Sequence, residues 1–196
     1  MKGKLIVLSA TILGFATLVY GCRDSSTPVE ADVGVVGRSA DSSTSVGDSI
    51  SVVRRGSPLA GDVSASQEIG PSGGTISLPD AGLTLEFSAG AVPAPTVITA
   101  RMLAGNFVVF TCEPHGLVFN APVKARLDLK ALGTNKGQIV SGHFKIGYIM
   151  APSAVDSAGH ATALEQLPVD VQLVGRYASF QLPHFSTFAL ASGVTR

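Results

Sequence analysis

From Thr75 to Leu190 the chain is written as short runs in which apolar side chains alternate with polar ones, each run cut by glycine or proline. Leu83-Thr84-Leu85-Glu86-Phe87, Val123-Lys124-Ala125-Arg126-Leu127-Asp128-Leu129 and His143-Phe144-Lys145-Ile146-Gly147-Tyr148-Ile149-Met150 are the clearest. A period of two puts successive side chains on opposite faces of a strand, so Val123, Ala125, Leu127 and Leu129 face a core while Lys124, Arg126 and Asp128 face water. Turn chemistry separates the runs. Gly70-Pro71-Ser72-Gly73-Gly74 introduces Thr75 to Leu78, Pro79-Asp80-Ala81-Gly82 precedes Leu83, Gly90-Ala91-Val92-Pro93 precedes a strand from Thr96 to Leu103, and Ala104-Gly105 precedes another from Asn106 to Cys112. Gly133-Thr134-Asn135-Lys136-Gly137 reads as a loop, and Pro168 to Val174, Arg176 to Leu182 and Phe185 to Leu190 bring the expected total to about nine or ten strands. Helical periodicity is weak, confined to a single turn around Ala161 to Gln166. Many short strands at regular turn spacing predict an all-β antiparallel sandwich or barrel.

A length of 196 residues allows one ordinary domain plus appendages. The whole chain is formally neutral, but a chain starting at Cys22 loses Lys2 and Lys4 and carries 12 Lys+Arg against 14 Asp+Glu, a net charge of −2. That balance excludes nucleic acid as the expected partner, since binding phosphate backbones takes clustered cations. The two cysteines, Cys22 and Cys112, set up no disulfide framework.

The amino terminus carries an address. Lys2 and Lys4 precede 16 uncharged residues, Leu5 to Tyr20, a secretory pattern too short for a membrane span of about 20 residues. Gly21 stands directly before Cys22 and Val19 three positions ahead of it. Val19-Tyr20-Gly21-Cys22 resembles the lipobox of bacterial lipoproteins, with Tyr20 bulkier than the small residue usual there. The resemblance implies removal of residues 1–21, a diacylglyceryl thioether on Cys22 with palmitate-type acyl chains, and a membrane-anchored place in the bacterial cell envelope. At about 0.8 kcal/mol per buried methylene, two or three such chains hold a protein on a bilayer. Residues 22–67 mix serine, glycine, aspartate and short aliphatics without period, as in Asp41-Ser42-Ser43-Thr44-Ser45. They are expected to form a flexible linker of about 45 residues reaching on the order of 35–40 Å. The short apolar groups Val33-Gly34-Val35-Val36 and Ile50-Ser51-Val52-Val53 within it are able to add a strand elsewhere.

The module at 68–193 resembles a known family. Gly73-Gly74-Thr75, Leu83 to Phe87, Gly90-Ala91-Val92-Pro93 followed by Thr96-Val97-Ile98-Thr99, and Gly116-Leu117-Val118-Phe119 leading to Pro122-Val123 are similar to the ZU-five domain, the β module named for zonula-occludens proteins and uncoordinated-five netrin receptors. The closing segment His184-Phe185-Ser186-Thr187-Phe188-Ala189-Leu190 fits the same pattern, so the resemblance covers the 123 residues from Gly70 to Ser192. It implies an antiparallel β-sandwich with a structural or protein-binding role.

Candidate chemistry is sparse. His184-Phe185-Ser186 resembles the cleavage triplet of self-cleaving relatives of the fold. There, His184 acts as base for the Ser186 hydroxyl attacking the carbonyl of the Phe185–Ser186 bond, provided that amide is strained and its oxyanion held. The competing reading has Phe185, Thr187 and Ala189 lining one face of a closing strand that His184 caps. Cys112 and His115 have Cys-x-x-His spacing, but a tetrahedral site needs four ligands and no second pair lies nearby, so Cys112 is expected to be a buried, inert thiol. His143 and His160 fall on a strand face and in a loop, both solvated. The acids Asp80, Glu86, Glu113, Asp128, Asp156, Glu165 and Asp170 are scattered singly, without calcium-loop or glycosidase spacing. No metal or cofactor is expected. The expected function is a lipid-anchored, non-catalytic interaction or structural module with an unidentified protein partner and contact to the membrane through the lipid. The alternatives are a self-cleaving module and an envelope module binding a small ligand or carbohydrate.

Overall fold

The computed structural model describes residues 47–134 and 143–194. The leader, Cys22, the linker up to residue 46, and Asn135, Lys136 and Gly137 of the expected loop lie outside the described residues. The first part of the chain forms β1 (Asp48–Val52), β2 (Arg54–Leu59), β3 (Val63–Ile69), β4 (Gly74–Leu78) and β5 (Leu83–Phe87). Then come β6 (Thr96–Met102), β7 (Gly105–Phe107), β8 (Val109–Glu113), β9 (Val118–Asp128) and β10 (Phe144–Ile149). The remainder is β11 (His160–Ala163), β12 (Glu165–Pro168), β13 (Asp170–Gln172), β14 (Tyr177–His184) and β15 (Thr187–Val194).

Two antiparallel sheets pack as a β-sandwich, and no closed barrel forms among the described residues. One sheet runs β11-β1-β15-β8-β6-β3, with β10 along β15 and β12 beyond β10. The other runs β13-β14-β9-β5-β4, and β2 with β7 makes a small separate ribbon. Alternation places the side chains as the sequence predicts: Val123, Ala125 and Leu127 of β9 are buried, while Lys124, Arg126 and Asp128 are exposed. Across the core stand Ile98, Ala100 and Met102 of β6, Phe110 and Cys112 of β8, and Phe188 and Leu190 of β15. Phe110 stacks on Phe188 at 5.5 Å between ring centroids and meets Phe180 of the facing sheet at 6.1 Å. Each such ring removes enough apolar surface from water to favour folding by about 1.5–3 kcal/mol. Gly73 makes the turn into β4 at φ 78°, where a Cβ would lie 2.3 Å from the Phe87 carbonyl oxygen, so only glycine fits.

The domain begins earlier than expected. Residues 48–67, read as linker, form β1, β2 and most of β3, and the group Ile50–Val53 does add a strand. Ser49, Ile50 and Ser51 pair with Thr162, Ala161 and His160 of β11, and Ile50 and Val52 pair with Val194 and Ala191 of β15. These partners lie more than 100 residues away in sequence, which is why no local period announces them. The strands create a second core on the outer side of the first sheet, built from Ile50, Val52, Val109, Ile149, Ala161, Ala163, Ala189 and Ala191. Gly147 of β10 lets β1 and β11 close down, because a Cβ there would lie 2.5 Å from Ile50 Cδ1 and 3.2 Å from Ala163 Cβ.

Two further expectations change for the same reason. The helical turn at Ala161 to Gln166 is extended chain, β11 running into β12, because Ala161 and Ala163 seal the second core and Leu167 reaches the first. The closing strand carries Phe188 and Leu190 toward the main core and Ala189 and Ala191 toward the second. Phe185 and Ala189 therefore do not share a face, and His184 ends β14 instead of opening β15.

Candidate functional site at the turn from β14 to β15

Phe185 and Ser186 join the two sheets at the turn between β14 and β15. Gly116, at φ 75°, brings the approach to β9 alongside this turn. The Phe185 N–H donates to the Leu117 carbonyl at 2.9 Å, the Gly116 N–H donates to the Phe185 carbonyl at 2.9 Å, and the Cys112 N–H donates to the Ser186 carbonyl at 3.0 Å. The Phe185 ring is fully buried, edge-on to Phe119 at 4.7 Å and to Phe87 at 6.0 Å. Ser186 and Thr187 are buried with it.

His184 faces elsewhere. Its Nε2 lies 3.2 Å from Glu165 Oε2 of β12, so the pair links the two sheets, and its ring packs edge-on to Tyr148 at 5.2 Å and beside Phe188 at 5.9 Å. Among the described residues no hydrogen bond joins His184 to Ser186. A general base must stand about 2.6–3.2 Å from the proton it removes, and the fold brings His184 to Glu165 instead. The Gly116 N–H is a donor of the kind an oxyanion uses, yet residues 184–186 show no left-handed backbone, which among non-glycine described residues occurs at Arg176.

The other candidates separate in space. Cys112 is fully buried on β8, and burial pushes its thiol pKa up, whereas His115 is exposed. Among the described residues no three His, Cys, Asp or Glu side chains are grouped to hold a metal ion. His143 is exposed at the head of β10. His160, expected in a loop, opens β11 instead; its Nδ1 lies 3.5 Å from Asp156 Oδ2, and Asp156 Oδ1 accepts the N–H of His160 at 2.8 Å and of Ala158 at 2.9 Å. These backbone donors, His160 foremost, hold the Asp156 carboxyl below its ordinary pKa. On the outer face of the second sheet, Glu86, Lys124, Arg126, Asp170, Tyr177 and Gln181 line an open groove of about 410 Å³, with the Arg126 guanidinium 5.5 Å over the Tyr177 ring. No helix among the described residues is long and apolar enough to cross a membrane.

The sequence marks Glu165 as one of several scattered acids and gives Arg55 and Arg176 no role. Glu165 meets His184 only because β12 folds beside β14, and Arg55 falls in the stretch read as linker. The run Val53-Arg54-Arg55 held no visible signal, since which arginine turns inward depends on pairing with a distant strand. Compared with known proteins, the chain matches no family model and no curated protein.

Proposed function

We propose that the chain is a lipid-anchored protein of the bacterial cell envelope whose ZU-five-like sandwich is a non-catalytic interaction or structural module for a protein partner. The observation that carries this reading is the use made of His184-Phe185-Ser186. Phe185 completes an aromatic core, its peptide groups are tied to Gly116, Leu117 and Cys112, and His184 joins β14 to β12 through Glu165. The triplet closes the sandwich. Other positions that carry the resemblance act likewise: Gly73, Gly90 and Gly116 turn the chain at positive φ, and Val92, Phe119 and Phe188 are core. Motif residues given over to turns and packing leave the sheet faces and loops as the surface for a partner.

The anchor reading draws on Val19-Tyr20-Gly21-Cys22. With the first strand at Asp48, 25 residues separate it from Cys22, a link that spans at most about 90 Å even fully extended. Replacing Cys22 by alanine is expected to abolish lipid labelling in cells, and globomycin is expected to make the unprocessed precursor accumulate. A mature mass unchanged by both treatments rejects the anchor.

A further inference from the structure

The outer face of the second sheet stays open to water, and it is polar throughout. Alternation turns Leu85, Ala125 and Phe180 into the core and leaves Glu86 of β5, Lys124 and Arg126 of β9, Gln181 of β14 and Asp170 of β13 exposed. Pairing lines these side chains up across the sheet: Glu86 lies opposite Lys124, Lys124 opposite Gln181, Arg126 opposite Ser179, and Ser179 opposite Asp170. The row therefore crosses four strands, three steps of about 4.8 Å, or ~14 Å in all. It is also hollow. The groove encloses about 410 Å³, and a second hollow of about 520 Å³ against Pro168 and Val169 shares Asp170 and Gln181 with it.

The charged groups of the groove are not spent on one another. Among the described residues no ion pair includes Glu86, Lys124, Arg126 or Asp170, although Glu86 and Lys124 are ladder partners. Asp170 Oδ2 accepts from Gln172 Nε2 at 3.0 Å. The Tyr177 ring, 5.5 Å below the Arg126 guanidinium, braces that group through its π face and leaves the N–H groups to point at a ligand.

The lining selects a class of ligand. Two acids and two bases leave the groove without net charge, so it attracts neither a polyanion nor a polycation. A protein partner is held chiefly by aromatic or aliphatic anchors, and none of the large exposed apolar side chains of the described residues lines this groove. A hydroxyl group both donates and accepts, so a ligand rich in hydroxyls satisfies carboxylates and cations together. We propose that the groove binds a neutral oligosaccharide lying across β5, β9, β14 and β13. Its hydroxyls donate to Glu86 and Asp170 and accept from Lys124, Arg126 and Gln181. The site is independent of the lipid anchor and of a protein partner docking on the loops.

The test is calorimetric titration of the full chain with chitohexaose, cellohexaose and maltohexaose, all neutral hexasaccharides. Saturable binding of at least one is expected, with an affinity that stays within about twofold as salt rises from ~50 to ~300 mM, because a neutral ligand displaces no counterions. Arg126→Ala and Glu86→Ala are each expected to weaken binding about tenfold or more, the effect of losing hydrogen bonds to a charged group. Both side chains are exposed, so the wild-type Tm is expected to persist, and Glu68→Ala, exposed on β3, is expected to bind as the wild type does. Stronger binding by Glu86→Ala, or an affinity that collapses with salt, marks an anion site and overturns the proposal. Absence of binding to all the hexasaccharides, or equal weakening by Glu68→Ala, also overturns it. Tighter binding of an alternating Lys-Glu peptide, lost in the same groove variants, assigns the groove to a protein segment and overturns it as well.

Discussion

Cys112 shows how far one residue's behaviour follows from where a strand puts it. On β8 it faces the main core beside Ala100 across the ladder, with no exposed surface, and burial raises its thiol pKa. A raised folded pKa means that the native state holds its proton where the unfolded chain has lost it. The sign is therefore that stability is fully present below the unfolded thiol value of about 8.5 and falls as pH rises above it. Cys112→Val is expected to flatten the decline in Tm above pH ~9, and the native wild type is expected to resist iodoacetamide at pH ~8 while the urea-unfolded chain reacts at once. Rapid alkylation of the folded protein contradicts the burial. The inward place of Cys112 was legible from the apolar run Phe107 to Cys112. The pairing of His184 with Glu165 was not, because it depends on two strands from different sheets coming side by side.

At the scale of elements, β1 and β11 behave as a lid over small residues. Gly147, Ala189 and Ala191 have too little side chain to shield one another, and Ile50 fills the space above Gly147. Ile50→Ala is expected to lower stability by about 2–5 kcal/mol, the range for emptying a fully buried aliphatic site, measured by urea unfolding. A chain starting at residue 68, where the alternating pattern becomes clear, is expected to bind a hydrophobic dye and melt at lower temperature than one starting at residue 47. Equal melting of the two chains refutes the lid. Strands with a full alternating pattern, such as β5 and β9, were readable locally because half of their residues face the core. The strand potential of Ile50–Val53 in β1 was visible, whereas β2 and β3 were hidden because short strands with few apolar residues acquire their partners only from the tertiary fold.

For the molecule as a whole, the turn from β14 to β15 decides between a closing joint and a cleavage site. The purified protein is expected to give one intact mass under denaturing conditions, equal to that of Ser186→Ala apart from the substituted oxygen. Loss of the 11 residues from Ser186 to Arg196 in the wild type alone restores the self-cleaving reading. The all-β class, the turns at Gly73, Gly82 and Gly116, and the inward faces of β5, β9 and β10 were determined by the sequence itself. Period-two burial and left-handed glycine are local properties that a chain carries before it folds. Only the tertiary structure decided where the domain begins, that a second core covers the outside of the first sheet, that His184 turns to Glu165, and that Arg55 lies buried. Each of these rests on contacts between segments far apart in sequence, and such contacts leave no period in either segment alone.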